Sequence, residues 1–230
     1  MWFYDVGLLP ETQTSDVNED DISPIELSVK IPYPKKKLVD WYEKKRASYS
    51  NGSLEVKNHL FIDHLISQEC EPLRMQWERE CGAESPKPAN GFYPPPSLQS
   101  LLRSFLTDCH REDISTKKSE NDLDSENPTE GDQVEMDSKH SVTIYLLMDL
   151  AMLLQGTYTS VDKLIKYPSA FKLSPSLIKL TQAFWLLDHD DYEGFFKIAT
   201  GQLISGSDLK DWHHKLAIKT LIKNDQHKLG

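Results

Sequence analysis

Between Ser174 and Ala199 the sequence encodes two helices with almost nothing between them. Ser174 offers a hydroxyl to the free N–H groups of a helix start, and Pro175 follows where its missing N–H costs nothing. Leu177, Leu180, Phe184 and Leu187 then recur at helical spacing, with Ile178 and Trp185 widening the apolar face. The polar run Asp188-His189-Asp190-Asp191 interrupts the pattern, and Tyr192, Phe195, Phe196 and Ala199 resume it on one face of a second helix. This is an αα-hairpin with a very short turn, the unit that stacks into helical solenoids. Its first helix is apolar over so wide an arc that neighbours must cover it from two directions.

The rest of the chain supplies such neighbours. Lys35 to about Tyr49 reads as a helix with Leu38, Trp41 and Tyr42 on one side, stopped at Asn51-Gly52. Ser53 can cap the next, which carries Leu54, Leu60, Phe61, Leu65 and Ile66. Pro72 breaks it, and a short helix with Leu73, Met75 and Trp77 follows. GAESPKPANGFYPPP is loop on composition, and Ser97 caps an amphipathic helix bearing Leu98, Leu101, Leu102, Phe105, Leu106 and Cys109. Residues 112–137 hold ten carboxylates against two lysines, no aromatic residue and few β-branched ones. Such a stretch buries too little to offset an ordering entropy of about 1–2 kcal/mol per residue, and it reads as a disordered acidic insert.

An apolar helix from about Ser138 to Leu154, a turn at Gly156 and a short helix from Ser160 to Tyr167 lead into the hairpin. A connector over 201–207 leads out, with Ser207 capping a last helix that bears Leu209, Trp212, Leu216, Leu221 and Ile222. No strand alternation competes. The expected fold is all-α, an irregular α-solenoid-like array of helical hairpins with one disordered insert. Its parts are an extended arm over 1–33, whose aromatic start (Trp2, Phe3, Tyr4) packs on something, helical parts over 34–111 and 138–230, and the insert at 112–137.

Charge and cysteines narrow the function classes. Thirty-six acidic against 26 basic residues give a net charge of −10, a surface that disfavours non-specific contact with DNA or acidic lipid. Direct nucleic-acid binding is therefore not expected. Cys70, Cys81 and Cys109 form no spaced framework, and MWFYDVGLLPE lacks the basic start and apolar core of a signal peptide, which points to a reducing compartment. The most apolar run, Val142 to Leu154, falls short of the roughly 20 residues that span a bilayer, so no membrane insertion is expected.

The candidate chemistries each have a plainer reading. Gly201 to Gly206 has the glycine spacing of a phosphate loop, but Ser207 stands where lysine is required and no strand precedes it. His59, His64, His213 and His214 do not fall on common faces, and no Cys-x-x-Cys or His-x-x-x-His pair seeds a zinc site. Cys109 and His110, adjacent on a helix, are poorly placed to touch. Asn51-Gly52-Ser53 matches a glycosylation sequon but reads as a turn and a cap. In Asp188–Asp191, Asp190 or Asp191 reads as the cap of the helix at Tyr192 rather than as a cation or acid–base site. Lys35–Lys37 and Lys44–Arg46 read as a solvated helix face, with docking of the acidic insert as one possible use. No catalytic, cofactor or metal residues are assigned, and no cofactor is expected.

Three separated blocks carry a family resemblance: WFYDVGLLPE at the start, HSVTIYLLMDL at 140–150, and YPSAF with FWLLDHDDYE in the hairpin. In this order they resemble the central helical region of the ELYS family of nucleoporins, over most of the chain outside the insert. In that family a propeller precedes this region and a tail with an AT-hook follows it, and neither is seen within these 230 residues. The resemblance implies a non-enzymatic scaffold at the nuclear envelope that binds the Y-shaped nucleoporin subcomplex and supports nuclear pore assembly. Two alternatives come from other classes. One is the adaptor half of a ubiquitin-ligase system, since some plant proteins join an ELYS-like region to a RING domain. The other is a chromatin-associated protein, against which stand the acidic balance and the lack of an Arg-Gly-Arg-Pro hook.

Overall fold

The computed structural model describes residues 31–49, 60–81, 91–101, 105, 130–156 and 161–224. Among them every regular element is helical, and the all-α expectation holds.

Helix α1 (Lys35–Tyr49) has the bounds its sequence predicts and buries Leu38, Tyr42, Arg46 and Tyr49 along one stripe. Helix α2 (Phe61–Glu69) is shorter than expected. The stop at Asn51-Gly52 and the cap at Ser53 lie outside the described residues. Phe61 and Ile62 instead donate their N–H groups, at 3.0 and 3.3 Å, to the carboxylate of Asp188 at the far end of the hairpin helix. Helix α3 (Glu71–Cys81) follows after Cys70, with Pro72 in its first turn, where no N–H is needed. Met75 was expected beside Leu73 and Trp77 but is 51% exposed, because a residue two places from each lies on the opposite side of the helix. Ser97 caps the helical turn at 98–101 as expected, its Oγ accepting the Ser100 N–H at 3.0 Å.

Helix α4 (Glu130–Leu154) starts well ahead of the expected Ser138, so the last part of the stretch read as a disordered insert is helix. Once the apolar segment has paid for nucleation, each further residue adds one hydrogen bond, and local pairs hold the polar turns. Lys139 Nζ lies 2.7 Å from Glu135 Oε1, and Ser138 Oγ donates to the Val134 carbonyl at 2.8 Å. Residues 112–129 lie outside the described ones. From Ser138 to Leu147 every residue is buried, which makes α4 the helix the others surround.

The single helix expected over 160–167 is two one-turn pieces, α5 (Val161–Leu164) and α6 (Tyr167–Ala170). Pro168 has no N–H to return to the carbonyl four residues back, so the ladder cannot run through. The hairpin is as read. Helix α7 (Pro175–Asp188) is capped by Ser174 Oγ, which accepts the Leu177 N–H at 3.2 Å. Helix α8 (Tyr192–Ala199) is capped by Asp191, which accepts the Gly194 N–H at 2.9 Å. Asp190 takes φ 64 between them, a left-handed conformation that aspartate tolerates and a tight reversal needs.

Helix α9 (Asp211–Lys223) starts later than Ser207. Its cap is made by His213 Nδ1, which accepts the Lys210 N–H at 3.0 Å, while Ser207 bonds Ser205 in the connector.

Packing centres on α4, which meets α2 on one side and α7 on another; α7 also meets α2 and α8. The hairpin's first helix is thus covered from two directions. Phe61 and Phe184 stack at 4.7 Å between centroids with ring planes 16° apart, and Trp212 of α9 stacks on Phe61 at 5.6 Å.

Candidate functional site

The strongest concentration of polar groups is inside the molecule, where α1, α2, the 91–97 loop, α4 and α7 meet. A lone carboxylate in a buried apolar run must find donors or lose its charge, and Asp149, fully buried in the second half of α4, finds several. Its Oδ2 accepts the hydroxyls of Tyr42 at 2.7 Å and Tyr93 at 2.6 Å, and its Oδ1 accepts Trp185 Nε1 at 2.8 Å. His189 places Nε2 3.2 Å from the same Oδ1 and Nδ1 2.8 Å from the Trp185 carbonyl, with its ring stacked on Trp185. Burial first, and then the Asp149 charge, push the phenols of Tyr42 and Tyr93 far up, so both remain proton donors.

Two further buried carboxylates extend the joint. Asp63 of α2 receives a bidentate pair from Arg46 of α1, Nε to Oδ2 and Nη2 to Oδ1, both 2.7 Å. The same Oδ1 accepts the Phe92 N–H at 3.1 Å, and Arg46 Nη2 also donates to the Tyr93 carbonyl. A Cβ at Gly91 would push the guanidinium out of this contact. Asp188 takes Tyr145 Oη at 2.8 Å as well as the two N–H groups that open α2. Burial raises its carboxyl to about 7 against the opposing pull of these donors.

His213, buried against Phe184 at 5.1 Å, is pushed down to about 4, chiefly by burial. The geometry agrees, since Nδ1 can accept the Lys210 N–H only while it carries no proton.

These two groups tilt the pH dependence of stability in opposite senses. His213 takes up a proton near pH 6.5 when unfolded but only near 4 when folded, so its contribution is complete above about 6.5 and is lost as pH falls toward 4. Asp188 holds its proton to about 7 when folded and releases it near 3.8 when unfolded, so its contribution declines as pH rises through that window. A difference measurement separates them. Relative to the parent chain, His213→Phe gains stability by about 2–3 kcal/mol on going from pH 7 to pH 4. Urea unfolding midpoints at the two pH values read this directly; a constant offset between the proteins means that His213 does not titrate differently on folding.

The residues singled out from sequence distribute as follows. Asp191 is the expected cap, whereas Asp188 caps a helix far away in sequence and Asp190 pairs with Lys45. Lys35, Lys36 and Lys37 are exposed, but Arg46 of the second basic run is buried, so that run is not a solvated face. His64 and His213, read as unrelated, both lie against the Trp212 ring; His214 is exposed and His59 is outside the described residues. No group of three metal-ligating side chains forms among the described residues. The 201–206 stretch is turn and bend between α8 and α9. Cys70 is buried, and Cys109, His110 and Asn51-Gly52-Ser53 lie outside the described residues. Sequence reasoning missed Asp63, Tyr93, Tyr145 and the role of Asp149. Only Asp149 gave a signal, as the one carboxylate in an apolar run.

Every group in this joint faces another inside the protein. What it does is lock two helices from the first half of the chain, and the loop after them, onto α4 and α7 from the second.

Comparison with known proteins agrees with the three-block resemblance. A family model named ELYS, described as nuclear pore complex assembly, matches residues 118–230. That match begins inside the 112–137 stretch, which the resemblance alone had left out. The chain is 30% identical over 235 aligned positions to Protein ELYS of Homo sapiens, covering 99% of this chain and 8% of that protein. To Protein ELYS of Xenopus laevis it is 26% identical over 230 positions, covering 96% of this chain and 8% of that protein. The chain thus spans about 8% of the length of the curated relatives it matches.

Proposed function

The chain is an ELYS-like family member, and from that premise we propose that it is a non-enzymatic scaffold segment acting in nuclear pore assembly at the nuclear envelope. Its partner in this reading is the Y-shaped nucleoporin subcomplex. The observation that carries the proposal is the near-complete match of this chain to two proteins of one name, joined to a family model described by nuclear pore complex assembly. The interior supports a scaffold in physical terms. Its charged and aromatic groups are committed to one another across five elements, which favours one rigid arrangement that a partner can read.

Affinity capture with the tagged chain from mitotic and interphase extracts tests it, with bound proteins identified by mass spectrometry. Recovery of Y-subcomplex subunits is expected. Their absence, from a chain that circular dichroism shows to be helical, overturns that partner.

A further inference from the structure

Helix α9 carries two apolar faces where its place in the fold needs one. The inward face is His213, Leu216 and Thr220, all buried. Ile218 lies two places from both Leu216 and Thr220, and Ile222 two places from Thr220, which puts both isoleucines on the far side of the helix. They are 56% and 60% exposed. One helical turn, about 6 Å, separates them, so they form a single ridge. Helix formation does not call for them, since a β-branched side chain is a weaker helix former than lysine or glutamate. Burying one isoleucine is worth about 1.5–3 kcal/mol, and α9 leaves two of them in water.

The charge on this face is patterned with the ridge. Lysine stands three places before each isoleucine, in Lys215-Leu216-Ala217-Ile218 and again in Lys219-Thr220-Leu221-Ile222. Residues three apart are neighbours on a helix surface, so each isoleucine has a lysine beside it. Lys215 and Lys219 are exposed, and among the described residues neither is in an ion pair. Asp211, the one carboxylate of α9, stands two turns before Ile218. In a chain of net charge −10 this face is locally basic. At physiological salt the screening length is about 8 Å, so these lysines, and not the distant carboxylates, set the field at the ridge.

Both ends of α9 are fixed, which holds the ridge in place. Lys210 Nζ and Trp212 Nε1 reach Glu69 of α2 at 2.6 and 2.8 Å. Lys223 donates to the Ser48 carbonyl of α1 at 2.9 Å, with its ammonium 4.3 Å from the centre of the Tyr49 ring.

We infer that the outer face of α9 receives an acidic amphipathic helix of a partner protein. Apolar residues of that helix at i and i+3 or i+4 pack on Ile218 and Ile222, and its carboxylates meet Lys215 and Lys219. Two other occupants fit less well. A second copy related by a two-fold axis sets the lysines of one α9 against those of the other. A myristoyl chain, with far more apolar area than two isoleucines, binds a bilayer only marginally, so the ridge is too small to hold the chain on lipid. The contact is separate from the pore reading, since it rests on α9 alone.

Fluorescence anisotropy on the full chain tests it. The probe is a labelled synthetic peptide of roughly 18 residues, about five helical turns, with leucine on one stripe and glutamate elsewhere. A counterpart carries lysine in place of glutamate. Saturable binding of the acidic peptide is expected, at least about tenfold tighter than the counterpart and weakening as salt rises from about 50 to about 500 mM. The double variant Ile218→Gln with Ile222→Gln is expected to cut affinity at least about tenfold. Its melting temperature stays put, because both positions are exposed and glutamine is the better helix former. Lys215→Glu with Lys219→Glu is expected to reverse the preference, so that the lysine peptide binds more tightly, a result that loss of folding cannot imitate. Ile165→Gln, at an isoleucine 66% exposed elsewhere on the surface, is expected to leave binding unchanged. No saturable binding, equal binding of the two peptides, or unchanged binding in the double glutamine variant overturns the inference. So does a concentration-dependent dimer that the glutamine pair abolishes, which assigns the face to a second copy. Binding to phosphatidylserine vesicles that the same pair abolishes, with no peptide bound, overturns it in favour of lipid.

Discussion

Arg46→Met is expected to lower the unfolding free energy by about 3–5 kcal/mol, the usual cost of stranding one partner of a buried ion pair. The guanidinium and the Asp63 carboxylate are both nearly inaccessible, with side chains 7% and 1% exposed. Methionine fills the space but leaves Asp63 with only the neutral N–H groups of Phe92 and Tyr93. It also removes a donor from the Tyr93 carbonyl, where the 91–97 loop is tied to α1. On a domain whose total stability is about 5–15 kcal/mol, that is a large fraction. The double variant Arg46→Met with Asp63→Asn is expected to recover more than half of the loss, because a neutral amide still accepts from Phe92 and no longer carries a buried charge. Arg46→Lys is expected to rescue little, since a point charge cannot reproduce the two-pronged contact and the carbonyl bond together. Guanidinium unfolding curves for the variants decide it. A single-variant cost below about 1 kcal/mol shows that the Arg46–Asp63 pair does not hold α1 to α2.

What the sequence made legible follows the range of the interactions concerned. The bounds of α1, the Ser174-Pro175 start and the Asp191 cap rest on contacts within a few residues, and local composition carries them. Asp149 advertises a need for donors by sitting in an apolar run. Nothing local says that Tyr42, 107 residues away, is among those that meet it. Asp188 reads as part of a turn because its recipients, the first N–H groups of α2, lie 126 and 127 residues earlier. Arg46 looks like the end of a surface lysine run, and only the fold reveals that its side of α1 is buried. The start of α4 was missed for a different reason. Composition reports whether a stretch can fold alone, whereas 130–137 needs only to extend a helix that the apolar residues after it have already nucleated. His213 as a helix cap escaped because histidine is not a usual capping residue, and burial is what keeps its Nδ1 free to accept.

Phe184→Ala is expected to cost about 3–5 kcal/mol, as the loss of a fully packed phenyl ring does. Phe184 is 2% exposed and is the ring on which four helices close. It stacks on Phe61 of α2, meets Phe195 of α8 edge-on at 5.7 Å, and lies 5.1 Å from the His213 ring of α9. Truncation therefore opens a void bounded by several separate elements, none of which can collapse into it without breaking its own contacts. Stacking adds to the area term, by about 0.5–1.5 kcal/mol for each well-placed aromatic pair. A loss of this size lowers the melting temperature by roughly 10 °C in a chain of this length. Phe184→Leu keeps most of the volume and is expected to give back part of the loss, which separates cavity from stacking. Trp185, one place along α7 and half-buried, provides the contrast. Trp185→Phe removes one hydrogen bond to Asp149, which keeps its two tyrosine donors, so the expected cost is only about 1–2 kcal/mol. An unchanged melting temperature in Phe184→Ala contradicts the packed arrangement and makes Phe184 a surface residue available to a partner. Thermal melts of the three variants beside the parent chain distinguish these outcomes.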